Sequence, residues 1–435
     1  MSRLVASRME SLGTENAFRL GADIERCVER GMDVVRLNLG EPDFDSPDHV
    51  NRAAIDAILA GDSHYCDPAG LVELREAIAG TVSATRGLAV GSERVIVTPG
   101  AKPPIGYAFL TYVEPGDEVV YPSPGFPIYE SWVGFVGARP RPLMLSEVSG
   151  FAFTAEDLAG NLSERTKLVI LCSPSNPTGG VLPEGLLAEV ADVVRERCHP
   201  EVRIYSDEIY EDILFDGESH HSIASVPGME GRTVLVSGMS KGFAMTGWRL
   251  GYAVLPTAEE ALRFKQLNIN TVSCVPPFVQ RAGIAALDRE RSAEAVATMV
   301  AAFERRRDWV VPALEAIDGV RCQSPKGAFY VFPNVEGVCR RLGVFEAYAG
   351  LAPGAQRRTS PAGMLQMFLL YRHGVATMDR NSFGKIGAEG QHFLRLSIAT
   401  SLERLKEGVG RIERAAADAD GFAAFLDDER LWERS

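Results

Sequence analysis

The sequence has no apolar run long enough to cross a membrane. Its 435 residues contain no stretch that approaches about eighteen unbroken apolar positions. The N-terminal Met1-Ser2-Arg3-Leu4 is not followed by the apolar segment of a secretory signal. Positive charge is scarce as well, because 45 Lys and Arg stand against 58 Asp and Glu, a formal net charge of −13. An acidic surface disfavours nucleic acid and anionic membranes as partners, although a local pocket can still bind a small anion.

Cysteine and histidine are few, and neither is spaced as metal ligands are. The seven cysteines show no CxxC pair, which predicts reduced thiols in a cytoplasmic protein rather than a disulfide framework. The seven histidines contain no HxxxH pair, so no metal site is expected. His220 and His221 are adjacent, and we predict that both lie in a surface loop. The sequence also lacks internal repeats, and its length allows one large and one smaller domain.

The middle of the chain alternates short β-rich runs with helical segments, which is typical of an α/β fold with a mostly parallel sheet. Five runs are almost continuously apolar, as strands covered on both faces should be, and each is followed at once by small or polar residues. Ligands of open α/β sheets bind beyond the carboxyl ends of the strands, so the five following loops predict one site. The predicted strands are Arg94–Thr98, Glu118–Tyr121, Leu168–Leu171, Val202–Tyr205 and Thr233–Val236.

The two ends of the chain flank this core. We predict an N-terminal arm and part of a small domain over residues 1–47, a large domain over 48–292, and the rest of a small α+β domain over 293–435. Residues 344–363 are rich in Ala, Gly and Pro, which predicts an irregular insertion. The other expected features are a long charged helix from about Ala293, strands at Gly327–Phe332 and Phe393–Ser397, a closing helix at Leu402–Ala417, and a peripheral tail after Asp418.

Lys241 directly follows the last of the five predicted strands, in the segment SKGFAMTGWR that runs from Ser240 to Arg249. Apolar surroundings favour the neutral amine that imine formation needs. The Arg249 guanidinium could bind a phosphate, and the Ser240 hydroxyl could donate a hydrogen bond to it. Taken alone, the segment fits an exposed lysine in a Gly-rich turn equally well.

Two other strand ends carry groups that suit a pyridine cofactor. Asp207 could hold a protonated ring nitrogen or cap a helix, and Tyr210 lies three residues further on. We interpret Glu208 as structural. Asn176 stands between prolines, where its amide could donate to a phenolate oxygen or simply form a turn.

Three further positions could bind a ligand. Gly100-Ala101-Lys102 precedes a helical pattern that begins at Ile105, and a helix N-terminus can bind phosphate. Phe126 could stack on a flat ring, or it could belong to the core. Arg395 lies in an apolar predicted strand, so it needs a partner, and a substrate carboxylate held by two hydrogen bonds would provide one.

Together these segments resemble the fold-type I, class I/II aminotransferases, which use pyridoxal 5′-phosphate (PLP). The resemblance extends from about Leu37 to Ala417, and the set of blocks in this order is specific although no single block is. It implies a mostly parallel central sheet in a large domain, a smaller α+β domain and a homodimer with shared active sites. The blocks are LNLGEPDF, HYCDPAGLVELREAI, VIVTPGAK, EPGDEVVYPSPGFPIYES, SPSNPTGG, YSDEIYEDI, SKGFAMTGWRLGY, GAFYVF and FLRLSIATS.

The resemblance also implies a role for each candidate residue. Lys241 would form the Schiff base with PLP and then act as the proton shuttle. Arg395, Asn176 and the backbone of Gly40 would hold the substrate carboxylate. The other contacts to PLP would come from Asp207 at the ring nitrogen, Asn176 and Tyr210 at the phenolic oxygen, and Phe126 over the ring. The residues at the phosphate would be Gly100, Ala101 and Lys102 (the last two through their backbone), Ser237, Ser240, Arg249 and Tyr65 of the partner subunit.

The implied reaction moves an amino group from an L-amino acid to a 2-oxo acid by a ping-pong mechanism. Four departures from the family pattern stand out: Gly238 replaces the usual phosphate-binding serine, Phe126 replaces Trp or Tyr, segment 344–363 is longer than usual, and Asp379–Gly384 replaces a Pro-Gly loop. The same cofactor chemistry also supports elimination, cyclisation or oxidation of amino acids. A ligand-sensing regulatory domain is a further alternative, but a regulator of this kind would carry an appended DNA-binding region, which the sequence does not show.

Overall fold

The structure is a computed structural model that describes residues 4–13, 16–429 and 431. None of the helices within these ranges combines the length and the apolarity needed to span a membrane. The helices are α1 (Asn16–Glu29), α2 (Asp48–Leu59), α3 (Val72–Arg86), α4 (Pro103–Tyr112), α5 (Pro127–Val136), α6 (Ala155–Asn161), α7 (Glu184–Arg197), α8 (Ala258–Thr271), α9 (Pro277–Ala286), α10 (Arg289–Glu315), α11 (Glu336–Arg341), α12 (Val344–Ala349), α13 (Pro353–Gln356), α14 (Pro361–His373), α15 (Leu402–Ala416) and α16 (Ala419–Glu429).

A seven-stranded sheet forms the centre of the fold, and helices cover both of its faces. Its strand order is β2-β8-β7-β6-β5-β3-β4, and every strand except β8 runs parallel to the others. The five strands predicted from sequence are confirmed, with ends within two residues of the expected positions. The sheet contains β2 (Val95–Thr98), β3 (Glu118–Ser123), β4 (Arg139–Met144), β5 (Thr166–Cys172), β6 (Arg203–Asp207), β7 (Thr233–Gly238) and β8 (Gly251–Val254).

The sequence did not predict β4 or β8. β4 reads RPRPLM, and a strand with two prolines is tolerated because it lies at the edge of the sheet, where one side needs no backbone donors. β8 is only four residues long and follows the predicted lysine segment closely. It is inserted antiparallel between β2 and β7, a pairing that the local sequence does not specify.

The chain ends form a second group of strands. β1 (Val35–Arg36) pairs in parallel with β10 (Val375–Ala376). β12 (Leu394–Ser397) lies antiparallel between β11 (Met378–Asp379) and β9 (Tyr330–Val331). The two expected strands of this region are therefore confirmed, although the first is shorter than predicted. The expected long helix and closing helix are also present, as α10 and α15.

Two predictions for this region are wrong. The segment 344–363 is not irregular, because α12, α13 and the start of α14 occupy most of it, and Ser360 caps α14 by accepting from the backbone N–H of Gly363. The tail after Asp418 is not peripheral, because α16 buries Phe422 and Phe425 against Phe368 of α14. The division into domains at residues 47 and 292 stays a prediction.

Candidate active site

A cavity of about 550 Å³ lies beyond the carboxyl ends of the parallel strands. Residues that follow β2, β3, β5, β6 and β7 all line it, which confirms that the five predicted loops converge. Further lining residues come from the segment after β1 and from β9 and β12. Eleven of the fourteen candidate residues line the cavity: Gly40, Ala101, Lys102, Phe126, Asn176, Asp207, Tyr210, Ser240, Lys241, Arg249 and Arg395.

Lys241 is half-buried in this cavity, with its ammonium group at the carbonyl of Gly40, to which it donates. Its Nζ also lies 5.9 Å from the ring centroid of Tyr210 and 5.7 Å from that of Phe329. Gly40 cannot be replaced here without movement, because a Cβ at this position would stand 2.2 Å from the Tyr330 hydroxyl. The amine is therefore held by one carbonyl oxygen and two aromatic faces.

Asp207 ends β6 at the floor of the cavity and is almost completely buried. The Tyr129 hydroxyl donates to its Oδ2 at 2.6 Å, and the backbone N–H of Ile209 donates to its Oδ1 at 3.4 Å. Burial raises the pKa of Asp207 to about 6, although both hydrogen bonds favour the charged form. No helix begins at Asp207, so its alternative interpretation as a helix cap is wrong. A buried carboxylate in this position can accept a bond from a cationic ring nitrogen.

Arg395 and Asn176 form a buried pair on another wall of the cavity. The Arg395 NH1 group donates to Asn176 Oδ1 at 3.0 Å, and its NH2 group donates to the carbonyl of Asn38 at 2.6 Å. Because the Asn176 oxygen is used in this way, its Nδ2 group is the end that can donate to a ligand. Two rings contact the guanidinium, with centroids 4.3 Å (Tyr330) and 5.0 Å (Phe383) from its Cζ.

The far end of the cavity combines features that suit a phosphate. Ser240 and Arg249 follow β7, and Ala101 and Lys102 precede α4. Arg249 has a positive φ of 55°, which is uncommon for a residue other than glycine. Gly100 makes room for it, since a Cβ there would lie 2.3 Å from the Arg249 NH2 group. A helix N-terminus, a hydroxyl and a guanidinium thus converge.

Three candidate residues lie outside the cavity lining. Gly100 stands behind Arg249, as its close contact shows. Ser237 points away, because its hydroxyl donates to Glu211 Oε1 at 2.6 Å, so the structure does not bring it to the phosphate end. Tyr65 is 89% exposed in this subunit.

Comparison with known proteins identifies the family. The sequence model described as "Aminotransferase class I and II" matches residues 32–412, which is most of the chain. The chain belongs to this aminotransferase family. A probable aspartate/prephenate aminotransferase of Aquifex aeolicus is 36% identical over 416 residues, covering 95% of this chain and 99% of that protein. A bifunctional aspartate aminotransferase and glutamate/aspartate-prephenate aminotransferase of Petunia hybrida is 36% identical and covers 94% of this chain and 82% of that protein.

Solved structures of the family agree in fold. The aspartate aminotransferase of Rhizobium meliloti aligns with a TM-score of 0.84 at 34% identity, over 96% of this chain and 99% of that one. The aspartate aminotransferase of Thermus thermophilus with maleate aligns with a TM-score of 0.83 at 33% identity, over 95% of this chain and all of that one. The predicted fold class and the assignment as a transferase enzyme are therefore confirmed.

The sequence missed several residues that shape the aminotransferase site. Tyr129 carries the bond to Asp207, and its spacing of three residues from Phe126 at the start of α5 was an available signal, because residues three apart on a helix are neighbours. Tyr330 gave no signal, since it reads as one more apolar residue of a strand. Its hydroxyl lies 2.7 Å from that of Tyr210, and this contact depends on the packing of β9 against the cavity.

His220 and His221 lie in a loop, as predicted, but the His220 side chain does not lie on the surface. Its Nε2 lies 2.8 Å from Glu208 Oε2, and its side chain is 9% exposed. Glu208 also accepts from Arg86 at 2.7 Å and from the hydroxyl of Ser222. Glu208 therefore belongs to a buried polar cluster behind the cavity, as its structural interpretation expected, and His220 is part of that cluster through its contact with the carboxylate.

Proposed function

We propose that this aminotransferase moves the amino group of a dicarboxylic L-amino acid, aspartate or glutamate, to a 2-oxo acid with PLP as cofactor. The observation that carries the proposal is the convergence of Lys241, Asp207, Asn176 and Arg395 in one cavity. Each of these residues matches a different part of the cofactor or the substrate. Lys241 supplies the amine that the cofactor needs, and the other three would bind the ring nitrogen (Asp207), the phenolic oxygen (Asn176) and the substrate carboxylate (Arg395).

The residues present fit PLP. Asp207 is a buried carboxylate with neutral hydrogen-bond donors, which suits a cationic ring nitrogen. Ser240 and Arg249 would hold the phosphate beside the N-terminus of α4, and Phe126 would face the ring. When bound, PLP supplies a cationic ring that withdraws electrons from the α-carbon of the amino acid.

The chain's own groups provide binding and proton transfer. Arg395 would bind the α-carboxylate through its guanidinium, whose Nε has no acceptor within the described residues. The neutral amine of Lys241 would remove the α-proton of the amino acid and hold it on Nζ for delivery to the cofactor. Its contact with the Gly40 carbonyl fixes the direction in which the amine points.

A dicarboxylic substrate is supported by the relatives and by the charge of the cavity. The relatives are named for aspartate, and the Thermus thermophilus structure contains maleate, itself a dicarboxylate. If Arg395 binds the α-carboxylate and Arg249 the phosphate, Lys102 is the remaining cation besides Lys241 that lines the cavity. Its Nζ lies 5.6 Å from the centroid of the Phe126 ring, and we propose that it attracts the second carboxylate.

The deciding experiment is a substrate panel. L-Amino acids are tested against 2-oxoglutarate and pyruvate, with the spectrum of the cofactor recorded in each half-reaction. Transamination predicts equal amounts of a new amino acid and a new oxo acid. Release of ammonia or uptake of oxygen would instead support an elimination or oxidation on the same site.

In a Lys241→Ala variant the visible band of the bound cofactor and turnover should both be lost, and a variant that keeps both would refute the role of the lysine.

We further propose that the enzyme is a cytoplasmic homodimer. Tyr65 is 89% exposed, and Ile269 and Val272 of the neighbouring α8 region are 49% and 37% exposed. The Asn268 amide links this surface by donating to the carbonyl of Pro68 at 2.8 Å. All seven cysteines are unpaired, as in a reducing compartment.

Subunit mixing tests the dimer. If Tyr65 completes the site of the other subunit, a Tyr65→Ala variant and a Lys241→Ala variant are each impaired, but their mixed dimer contains one intact site. Activity should return on mixing after partial dissociation. Lack of recovery, in mixtures shown by light scattering to contain mixed dimers, would refute the shared site.

A further inference from the structure

Arg380 is a completely buried arginine in the segment that departs from the family pattern. Its Nε donates to Gln391 Oε1 at 2.6 Å, its NH1 to the carbonyls of Gly384 at 2.7 Å and Phe383 at 3.3 Å, and its NH2 to the hydroxyl of Ser123 at 2.9 Å. All four acceptors are neutral. Burial lowers the pKa of Arg380 to about 10, even though nearby carboxylates raise it. Burying a charge with neutral hydrogen-bond acceptors is costly, and the contacts of Arg380 indicate what this charge supports.

The hydrogen bonds of Arg380 fix the backbone of Phe383. The Phe383 carbonyl accepts from Arg380 and also from the backbone N–H of Gly125 at 3.0 Å. Ser123 and Gly125 belong to the end of β3 and the loop after it. The short turn from Arg380 to Phe383 is therefore hydrogen-bonded to the end of β3 and to the loop that follows it.

The ring of Phe383 in turn contacts the proposed carboxylate-binding residue. Its centroid lies 5.0 Å from the Cζ of Arg395, and Phe383 is 3% exposed. The ring of Tyr330 also lies against the same guanidinium, with its centroid 4.3 Å from the Cζ of Arg395. A cation next to aromatic rings away from water is held more firmly than an exposed one.

We propose that Arg380 is a positioning residue for carboxylate recognition: it holds Phe383 against Arg395, so that the Arg395 guanidinium keeps the orientation that a substrate α-carboxylate needs. The inference rests on the proposed function, because it assigns Arg395 to that carboxylate. It also gives a role to the Asp379–Gly384 segment. In place of a Pro-Gly loop, this chain uses a buried arginine to fix the loop.

The test uses Phe383→Leu and Arg380→Met in the cofactor-loaded enzyme. Each variant should raise the KM for the amino acid about tenfold, the range of one desolvated cation–π contact, with kcat changed less than about threefold and cofactor affinity retained. Conversion of the cofactor by ethylamine, which has no carboxylate, should proceed at the rate seen in the unchanged enzyme. An equal loss with ethylamine would overturn the proposal, because it would indicate general damage.

The double variant and a matched control distinguish the positioning of Phe383 by Arg380 from a general loosening of the loop. If Arg380 acts through Phe383, the double variant should have a KM no higher than the worse single variant, whereas additive losses would overturn the proposal. Glu130 accepts from the backbone N–H groups of Lys385 at 2.9 Å and Ile386 at 3.2 Å. Glu130→Ala therefore loosens the same loop and removes one carboxylate near Arg380, but it leaves the Phe383 ring and the hydrogen bonds of Arg380 in place. Its KM should stay within about twofold.

Two comparisons keep the outcome interpretable. If Arg380→Met does not fold, Phe383→Leu alone still tests the ring contact, and an unchanged KM in it refutes the inference. Arg395→Lys is measured in parallel. A raised KM in Arg395→Lys with an unchanged KM in Phe383→Leu refutes only the positioning role, whereas an unchanged KM in Arg395→Lys refutes the part of the proposed function that assigns the α-carboxylate to Arg395.

Discussion

Replacing Asp207 by Asn removes a buried charge while it keeps the shape of the side chain. In the cofactor-free protein the carboxylate is buried, and its hydrogen-bond partners, Tyr129 and the N–H of Ile209, are neutral. Burial raises its pKa to about 6 from an ordinary value of 3.8. An Asn at this position can still accept from Tyr129 and loses only the longer bond from the Ile209 N–H, so most of the effect of the substitution reflects the charge.

The size and sign of the effect follow from the two pKa values of Asp207. Below about pH 4 both the folded and the unfolded chains hold the proton, so the carboxyl group of Asp207 adds no pH dependence to the free energy of unfolding. Between about pH 4 and pH 6 the unfolded chain loses the proton first, so the folded state is progressively destabilised as the pH rises. A shift of about two pKa units corresponds to about 3 kcal/mol. The cofactor-free Asp207→Asn variant should therefore be more stable than the unchanged protein by up to about 3 kcal/mol at pH 8 and equally stable near pH 4.

Urea unfolding of both cofactor-free proteins, at matched concentration and at pH 4, 6 and 8, measures this difference. Other titrating groups cancel because the two proteins are compared at the same pH. Excess PLP should reverse the order at pH 8, since only the carboxylate can pair with a cationic ring nitrogen. Equal free energies of unfolding at pH 8 without cofactor would refute the reasoning, because they would show that the Asp207 charge is not destabilised by burial.

Three other predictions follow from the same contacts. Arg395→Ala should lower kcat/KM for every amino acid at least about 100-fold, since two charge-assisted bonds together contribute about 3 kcal/mol; unchanged kinetics would place the carboxylate elsewhere. Tyr129→Phe removes a donor that favours ionised Asp207, so the pKa of that carboxyl in the cofactor-free protein should rise by about one unit, which the pH dependence of the free energy of unfolding in urea measures; an unchanged pH dependence would contradict this role of Tyr129. Phe422→Ala should lower the free energy of unfolding by about 3–5 kcal/mol in urea titration, because α16 would lose its buried contact with α14.

The sequence predicted those parts of the site that follow from strand ends. Lys241, Asp207 and Asn176 each come directly after an apolar run, and the carboxyl ends of parallel strands meet at one edge of the sheet. The same rule says nothing about the direction of a side chain within its loop. Ser237 illustrates this limit, because it lies at the end of β7 but its hydroxyl donates to Glu211 instead of pointing into the cavity.

Long-range packing accounts for what the sequence could not predict. The contacts of Phe383 and Tyr330 with Arg395 join residues from three different segments, and no periodicity within a segment encodes them. Segment 344–363 forms helices although its content of Ala, Gly and Pro is typical of loops. Pro353 and Pro361 instead begin helices, a position at which proline is favoured.

Asp207 and Glu208 show why the structure is needed to choose between neighbouring carboxylates. Both are buried, yet their pKa values move in opposite directions. Burial dominates at Asp207 and raises its pKa to about 6. At Glu208 burial also opposes ionisation, but the positive charge of Arg86 and the contact with His220 lower the pKa well below its usual range. Glu208 already has its cation, whereas Asp207 has neutral donors and lines the cavity. A cationic ligand gains most by pairing with a carboxylate that burial has left without a counter-charge, and this makes Asp207 the partner of the ring nitrogen and leaves Glu208 a structural role.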